Sequence, residues 1–200
     1  MPVSKISRRK WMLAALIAVV AASIMIIPAI SPTSDAAQAR QFIDVDGASK
    51  WSPAYTEQLS NTAALNDSGP EYGWYYAWTT GTQFNLTAAT VTVSGEVHII
   101  IPNDVTLNLS GRIQLLSGAT LYIHPQPITV STVPVGIGNG KVSSANGGNG
   151  TIHLTVVNST LYNVATIVNT TATGATAVLN NGGTVHNYGT FTTTGLGSAI

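Results

Sequence analysis

Between residues 90 and 123 apolar and polar side chains alternate almost one for one. Val91 and Val93 alternate with Thr90 and Thr92. Val97, Ile99 and Ile101 alternate with Glu96, His98 and Ile100. Val105, Leu107 and Leu109 alternate with Thr106, Asn108 and Ser110, and the pairs Ile113/Leu115 and Leu121/Ile123 continue the pattern. A period of two over a few residues means a strand with one buried face. Ser94-Gly95, Asn103-Asp104, Ser110-Gly111 and Ser117-Gly118 stand between the bursts and tolerate the positive φ of tight turns. Strands therefore start roughly every 7–9 residues, which demands an all-β fold.

Composition separates the all-β alternatives. A sandwich carries bulky residues on its inner faces and charges outside. Here the outer positions are Thr, Asn, Ser and Gln, and after residue 112 the only Asp, Glu, Lys or Arg is Lys141. Stretches such as Ala177–Gly183 and Thr184–Gly189 are short strands with Asn and Gly corners. Such strands suit a right-handed parallel β-helix, or β-solenoid, in which stacked Asn and Thr satisfy each other along the axis. The β-sandwich is the alternative. At about 20 residues per coil, residues 90–200 would make roughly five coils. An open final coil would expose strand edges, so the sequence is expected either to be part of a longer chain or to assemble through its C-terminal edge.

The N-terminus has a different character. Lys5, Arg8, Arg9 and Lys10 precede an uninterrupted run of apolar and small residues, Trp11 to Ile27, and Ala37-Gln38-Ala39 offers a small-residue cleavage site. This is the layout of a secretory signal peptide. A run of 17 residues also nearly suffices for an uncleaved anchor. The expected organisation is a signal helix over 1–39, an aromatic cap segment over 40–89 and a solenoid over 90–200. Membrane contact is expected only through the N-terminal segment, with the remainder extracellular. From Arg40 onward four basic residues face seven acidic ones, too few cations for nucleic acid. The absence of cysteine excludes a disulfide framework and a thiol nucleophile.

Candidate sites lie mainly in the aromatic segment. Trp74, Tyr75, Tyr76 and Trp78 form a cluster able to stack on sugar rings. In the competing structural reading, Trp74 and Tyr76 plug the end of the solenoid and Tyr75 points outward. Residues 52–59 are compatible with a short helical turn. Asp44-x-Asp46-Gly47 resembles the start of a calcium loop, but the later acidic ligands are missing and an Asx turn is preferred. The four histidines, His98, His124, His153 and His186, are scattered along the sequence, with His98 and His124 able to face outward on successive coils. Glu96 and Asp104 are the solenoid's carboxylates, and a glycosidase would need two of them about 5–10 Å apart. No nucleophile–base–acid set accompanies them, so no catalytic residue and no cofactor is expected.

An ordered set of motifs resembles a family of secreted bacterial β-helical surface proteins, carbohydrate-binding-domain-like, that precede cell-wall repeat modules. The set comprises Phe42-Ile43-Asp44-Val45-Asp46-Gly47 with Tyr55-Thr56 and Leu59, then Gly73-Trp74-Tyr75. It continues with Val93–Ile101, Thr106-Leu107, Ile113, Gly118–Ile123, Gln126 and Gly136–Gly140. Glu96 stands where the family has Asp, and residues 125–135 are Pro-rich. The resemblance implies a β-helix at a cell surface, with surface glycans or cell-wall polysaccharide as partners. Adhesion or carbohydrate binding is thus the first expectation, a structural stalk or filament the second, and a polysaccharide-degrading enzyme the third.

Overall fold

In a computed structural model, residues 38–53, 56–68, 72–130, 133–146, 150–198 and 200 are described. The apolar run, and with it the expected signal helix, lies outside them. Among the described residues every regular element is a β-strand, and no helix is long and apolar enough to cross a membrane.

Strands β1 (Gln41–Ile43) and β2 (Ser49–Trp51) form an antiparallel hairpin. Strand β3 (Glu57–Gln58) then opens the solenoid. The first coil is β4 (Ala64–Asn66), β5 (Trp74–Tyr76) and β6 (Gln83–Leu86). The second is β7 (Thr90–Ser94), β8 (Glu96–Ile101) and β9 (Thr106–Leu109). The third has β10 (Arg112–Leu115) and β11 (Thr120–Pro125). A hairpin of β12 (Pro127–Val130) and β13 (Val133–Ile137) interrupts it before β14 (Lys141–Ser144). The fourth is β15 (Ile152–Leu154), β16 (Thr160–Asn163) and β17 (Thr166–Asn169). After β18 (Thr173–Thr176), the fifth is β19 (Val178–Asn180), β20 (Thr184–Asn187) and β21 (Thr190–Thr193), and β22 (Leu196–Ser198) follows.

Each coil gives one strand to each of three parallel sheets. The first sheet runs β4-β7-β10-β15-β19, the second β3-β5-β8-β11-β16-β20, and the third β6-β9-β14-β17-β21. The chain is therefore a three-sided parallel β-solenoid of five coils. The expected strands and turns of 90–123 stand as read, with Gly95, Asp104 and Gly118 all at positive φ. The ladder starts earlier than residue 90, because β3 to β6 already pair in the same sheets. Each coil is also longer than expected: Leu161 and Val185, 24 positions apart, are direct partners. The expected helical turn over 52–59 includes Ala54 and Tyr55, which are outside the described residues; around them Thr56 N donates to Pro53 O at 3.2 Å, and β3 follows at Glu57.

Parallel register explains why this low-charge sequence holds together. Like side chains align inside the tube: Val97, Leu121, Leu161 and Val185 on the second sheet, and Phe84, Leu107, Val142, Ile167 and Phe191 on the third. They belong to one continuous apolar core. Polar side chains align too. Asn163 Nδ2 donates to Asn187 Oδ1 at 2.8 Å and to Ala165 O at 2.9 Å. Asn169 Nδ2, fully buried, donates to Asn146 O and Thr176 O at 2.9 Å each. Buried amide N–H groups are tolerated when so paired, although Asn163 Oδ1 has no partner among the described residues. Asn108 Nδ2 repeats the ladder outside, on Asn85 Oδ1 at 3.3 Å.

Candidate functional site: an aromatic ladder under a hairpin

The second sheet carries rings on its outer face. Trp74, His98, Tyr122, Tyr162 and His186 occupy one register position on five successive strands. Parallel strands lie about 4.8 Å apart, and that spacing stacks the rings. Centroid separations are 3.9 Å for Trp74–His98, 4.3 Å for His98–Tyr122, and 4.6 Å for both Tyr122–Tyr162 and Tyr162–His186. The planes lie within 8° of parallel. Aromatic pairs contribute about 0.5–1.5 kcal/mol each beyond burial, so the ladder ties all five coils together along one edge.

Two residues further along the strands, Tyr76, Ile100 and His124 form a second row. The β1–β2 hairpin covers it. Phe42 packs on His124 at 4.5 Å and on Trp74 at 5.1 Å, and with Tyr76, Ile100 and Trp74 it forms a small core of its own outside the tube. A hydrogen-bonded chain runs beneath it: Glu96 Oε1 lies 3.1 Å from His98 Nε2, His98 Nδ1 lies 3.1 Å from His124 Nε2, and His124 Nδ1 donates to Ile43 O at 3.1 Å. Burial, with the neighbouring His98 adding to it, pushes His124 down to about 4. Burial also lowers His98, partly offset by Glu96.

The expected sugar platform is not assembled in this way. Tyr75, expected to point outward, faces the interior, where it packs against the main core and its hydroxyl donates to Asn66 O at 3.0 Å. Side chains alternate along β5, so Trp74 and Tyr76 take the outer face instead, and the hairpin covers that face. Trp74 stacks on His98 and meets Phe42. Tyr76 is buried and supports Arg40, whose guanidinium carbon lies 4.5 Å from the ring centre. Of the four, only Trp78 is exposed.

The other candidates resolve simply. Lys50 Nζ sits between Asp44 Oδ2 at 2.5 Å and Asp46 Oδ2 at 3.0 Å. The other oxygens accept from Val45 N and Ala48 N. One ammonium thus pairs with both carboxylates, and the Ala48 N–Asp46 Oδ1 bond is that of an Asx turn. Among the described residues no three His, Asp or Glu side chains converge as metal ligands. Asp104 exchanges two hydrogen bonds with Asn139, both at 2.6 Å, whereas Glu96 faces His98; no hydrogen bond or ion pair joins the two carboxylates.

The histidines are less scattered than their spacing in the sequence: three of the four belong to the second sheet's outer face. Sequence reasoning missed the ladder, although the signal was present. Thr120-Leu121-Tyr122, Thr160-Leu161-Tyr162 and Thr184-Val185-His186 are one motif in register. The β12–β13 hairpin lengthens the third coil, so the motif recurs at unequal intervals. Comparison of the chain with protein-family models, with curated proteins and with solved structures returns no match. The class that fold and site define is therefore a three-sided parallel β-solenoid with an aromatic spine and a clasping N-terminal hairpin.

Proposed function

We propose that this chain is the non-catalytic β-solenoid of an exported cell-surface protein, a rigid body that serves adhesion to carbohydrate. The resemblance to secreted β-helical surface proteins and the N-terminal export pattern support this reading. So does the distribution of polar groups, since the carboxylates Glu96 and Asp104 have separate partners.

One observation refines the reading, and it is the ladder itself. A sugar stacks on the face of an aromatic ring. Inside the ladder both faces of His98, Tyr122 and Tyr162 are covered by neighbours. The ladder is a structural spine, and adhesion belongs to rings outside it. A glycan-array screen of the chain tests this with Tyr162→Ala and Trp78→Ala. Tyr162→Ala should lower stability and leave any glycan specificity intact. Loss of glycan binding in a folded Tyr162→Ala protein would return the site to the ladder.

The stalk reading rests on a separate observation. Among the described strands, β19, β20 and β21 each have a ladder partner on one side only, and unpaired edges are what a further coil or a second copy would take.

A further inference from the structure

The N-terminal hairpin does more than cover the second sheet. Between it and β12 lies a cleft of about 250 Å³, lined by Arg40, Gln41, Trp51, Gln126 and Thr129, with Asn103 in its wall. Its groups come from four separate places in the sequence, and Arg40, Gln126 and Asn103 are each held by a neighbour. Arg40 lies over the Tyr76 ring. The Tyr76 hydroxyl donates to Gln126 Oε1 at 3.2 Å, leaving that amide's N–H groups for other acceptors. Asn103 Nδ2 donates to Pro127 O at 2.7 Å and ties the β8–β9 turn to β12.

Two features of the lining point to a ligand. Trp51 is 68% exposed, and no ring stacks on it among the described residues. An exposed indole beside a concave surface offers an apolar ring face on which a sugar can stack. Arg40 makes no ion pair among the described residues, and its Nε has no hydrogen-bond partner. The nearby carboxylates Asp44 and Asp46 are held by Lys50. The cleft therefore combines an aromatic platform, an uncompensated guanidinium and two amides. At this size it is smaller than the clefts of about 300–1,000 Å³ that enclose drug-sized ligands, which fits one sugar unit at the end or edge of a chain.

We propose that this cleft binds a carboxylate-bearing sugar unit, a uronic acid residue of an acidic polysaccharide. Trp51 receives the C–H face of the pyranose ring. Arg40 pairs with the carboxylate, the charge-assisted contact for which guanidinium geometry is suited. Gln41 and Gln126 reach the hydroxyls. Tyr76 acts as a positioning residue for both Arg40 and Gln126. The proposal rests on the reading of the chain as a carbohydrate-adhesive surface protein and locates the site of that adhesion.

The test is calorimetric titration of the full chain with oligogalacturonates, and with neutral cello-oligosaccharides as the counterpart, alongside the array screen. Binding of the acidic series is expected, weakened at least tenfold by Trp51→Ala and restored to within a few-fold by Trp51→Phe. Arg40→Gln should cost the acidic series at least tenfold, and added salt should weaken that series as well. Near-UV circular dichroism of each variant confirms that the hairpin stays folded. Array binding that is insensitive to both Trp51→Ala and Arg40→Gln would refute the cleft and leave the adhesion reading standing. Silence of the folded chain in both titration and array would refute both.

Discussion

Ile43 offers His124 only a carbonyl oxygen, and this fixes the hydrogen-bond chain beneath the hairpin. His124 Nδ1 must carry a proton to donate there, so in the neutral ring Nε2 accepts from His98 Nδ1, and His98 Nε2 donates to Glu96 only when His98 carries its second proton. Taking a proton on His124 would set two N–H groups against each other and place charge in a fully buried site. Its pKa, about 4 in the fold, lies below the ordinary value near 6.5. The unfolded chain therefore takes up the proton first. The group's contribution to stability is complete above pH 6.5, declines as pH falls towards 4, and changes little below that. The difference amounts to roughly 3 kcal/mol. Asp44 favours the charged form, whereas Lys50 and His98 oppose it. Urea unfolding at pH 7.5, 5.5 and 4.5 measures the slope, and His124→Phe should lose most of it. An unchanged slope in that variant would assign the pH dependence to other groups. Gly73 is a second residue that fixes local geometry. It sits at φ +77°, and a Cβ there would lie 2.1 Å from Glu96 O of the next coil. Gly73→Ala should cost about 3 kcal/mol in denaturant unfolding, and a near-neutral result would show that β5 and β8 can separate without loss.

Among elements, the contrast is between strands that the sequence reveals and hairpins that it conceals. Strands β7 to β11 were legible because one face of each is buried and the other solvated, so period two survives in the residue order. The β1–β2 hairpin was not, since its energetic partners are on β5, β8 and β11. Phe42 reads as one more aromatic until His124, 82 positions later, lies under it. Which face of Trp74-Tyr75-Tyr76 turns inward is hidden for a related reason: alternation shows which residues share a face, but the inner Tyr75 and the outer Tyr76 have the same hydropathy. The β12–β13 hairpin is different again. Its residues Ile128, Val133, Val135 and Ile137 are all exposed, and its base is already closed by Gly138 N donating to Gln126 O at 2.9 Å. In the second coil, the same corner between the second and third sheets is turned by residues 102–105 alone. Replacing residues 127–137 by Gly-Gly should therefore lower the melting temperature by less than about 5 °C, chiefly through the lost Asn103 contact. Loss of cooperative unfolding in that variant would make the hairpin part of the core.

At the scale of the whole molecule, a solenoid is a one-dimensional object in which each coil contacts only its neighbours, and stability accrues through the interfaces between them. The aromatic ladder and the Asn ladders are that rule at side-chain resolution. The same rule makes the ends matter. At the first coil, β3 and the covering hairpin add pairing and apolar contact. At the fifth, Val185 and Phe191 are only partly buried although they point into the tube, and His186 meets Tyr162 on one side. A second copy placed head to tail would extend all three sheets and the ring stack together. Such a heterologous contact does not close on itself and yields filaments. If the stalk reading holds, sedimentation of the chain should show species that grow with concentration. Val185→Lys should return them to monomer, because a Lys at the last coil can reach water only while that end stays open. A wild-type chain that remains monomeric across the concentrations at which it is soluble would remove self-stacking. The open β19–β20–β21 edges would then await a coil of another origin.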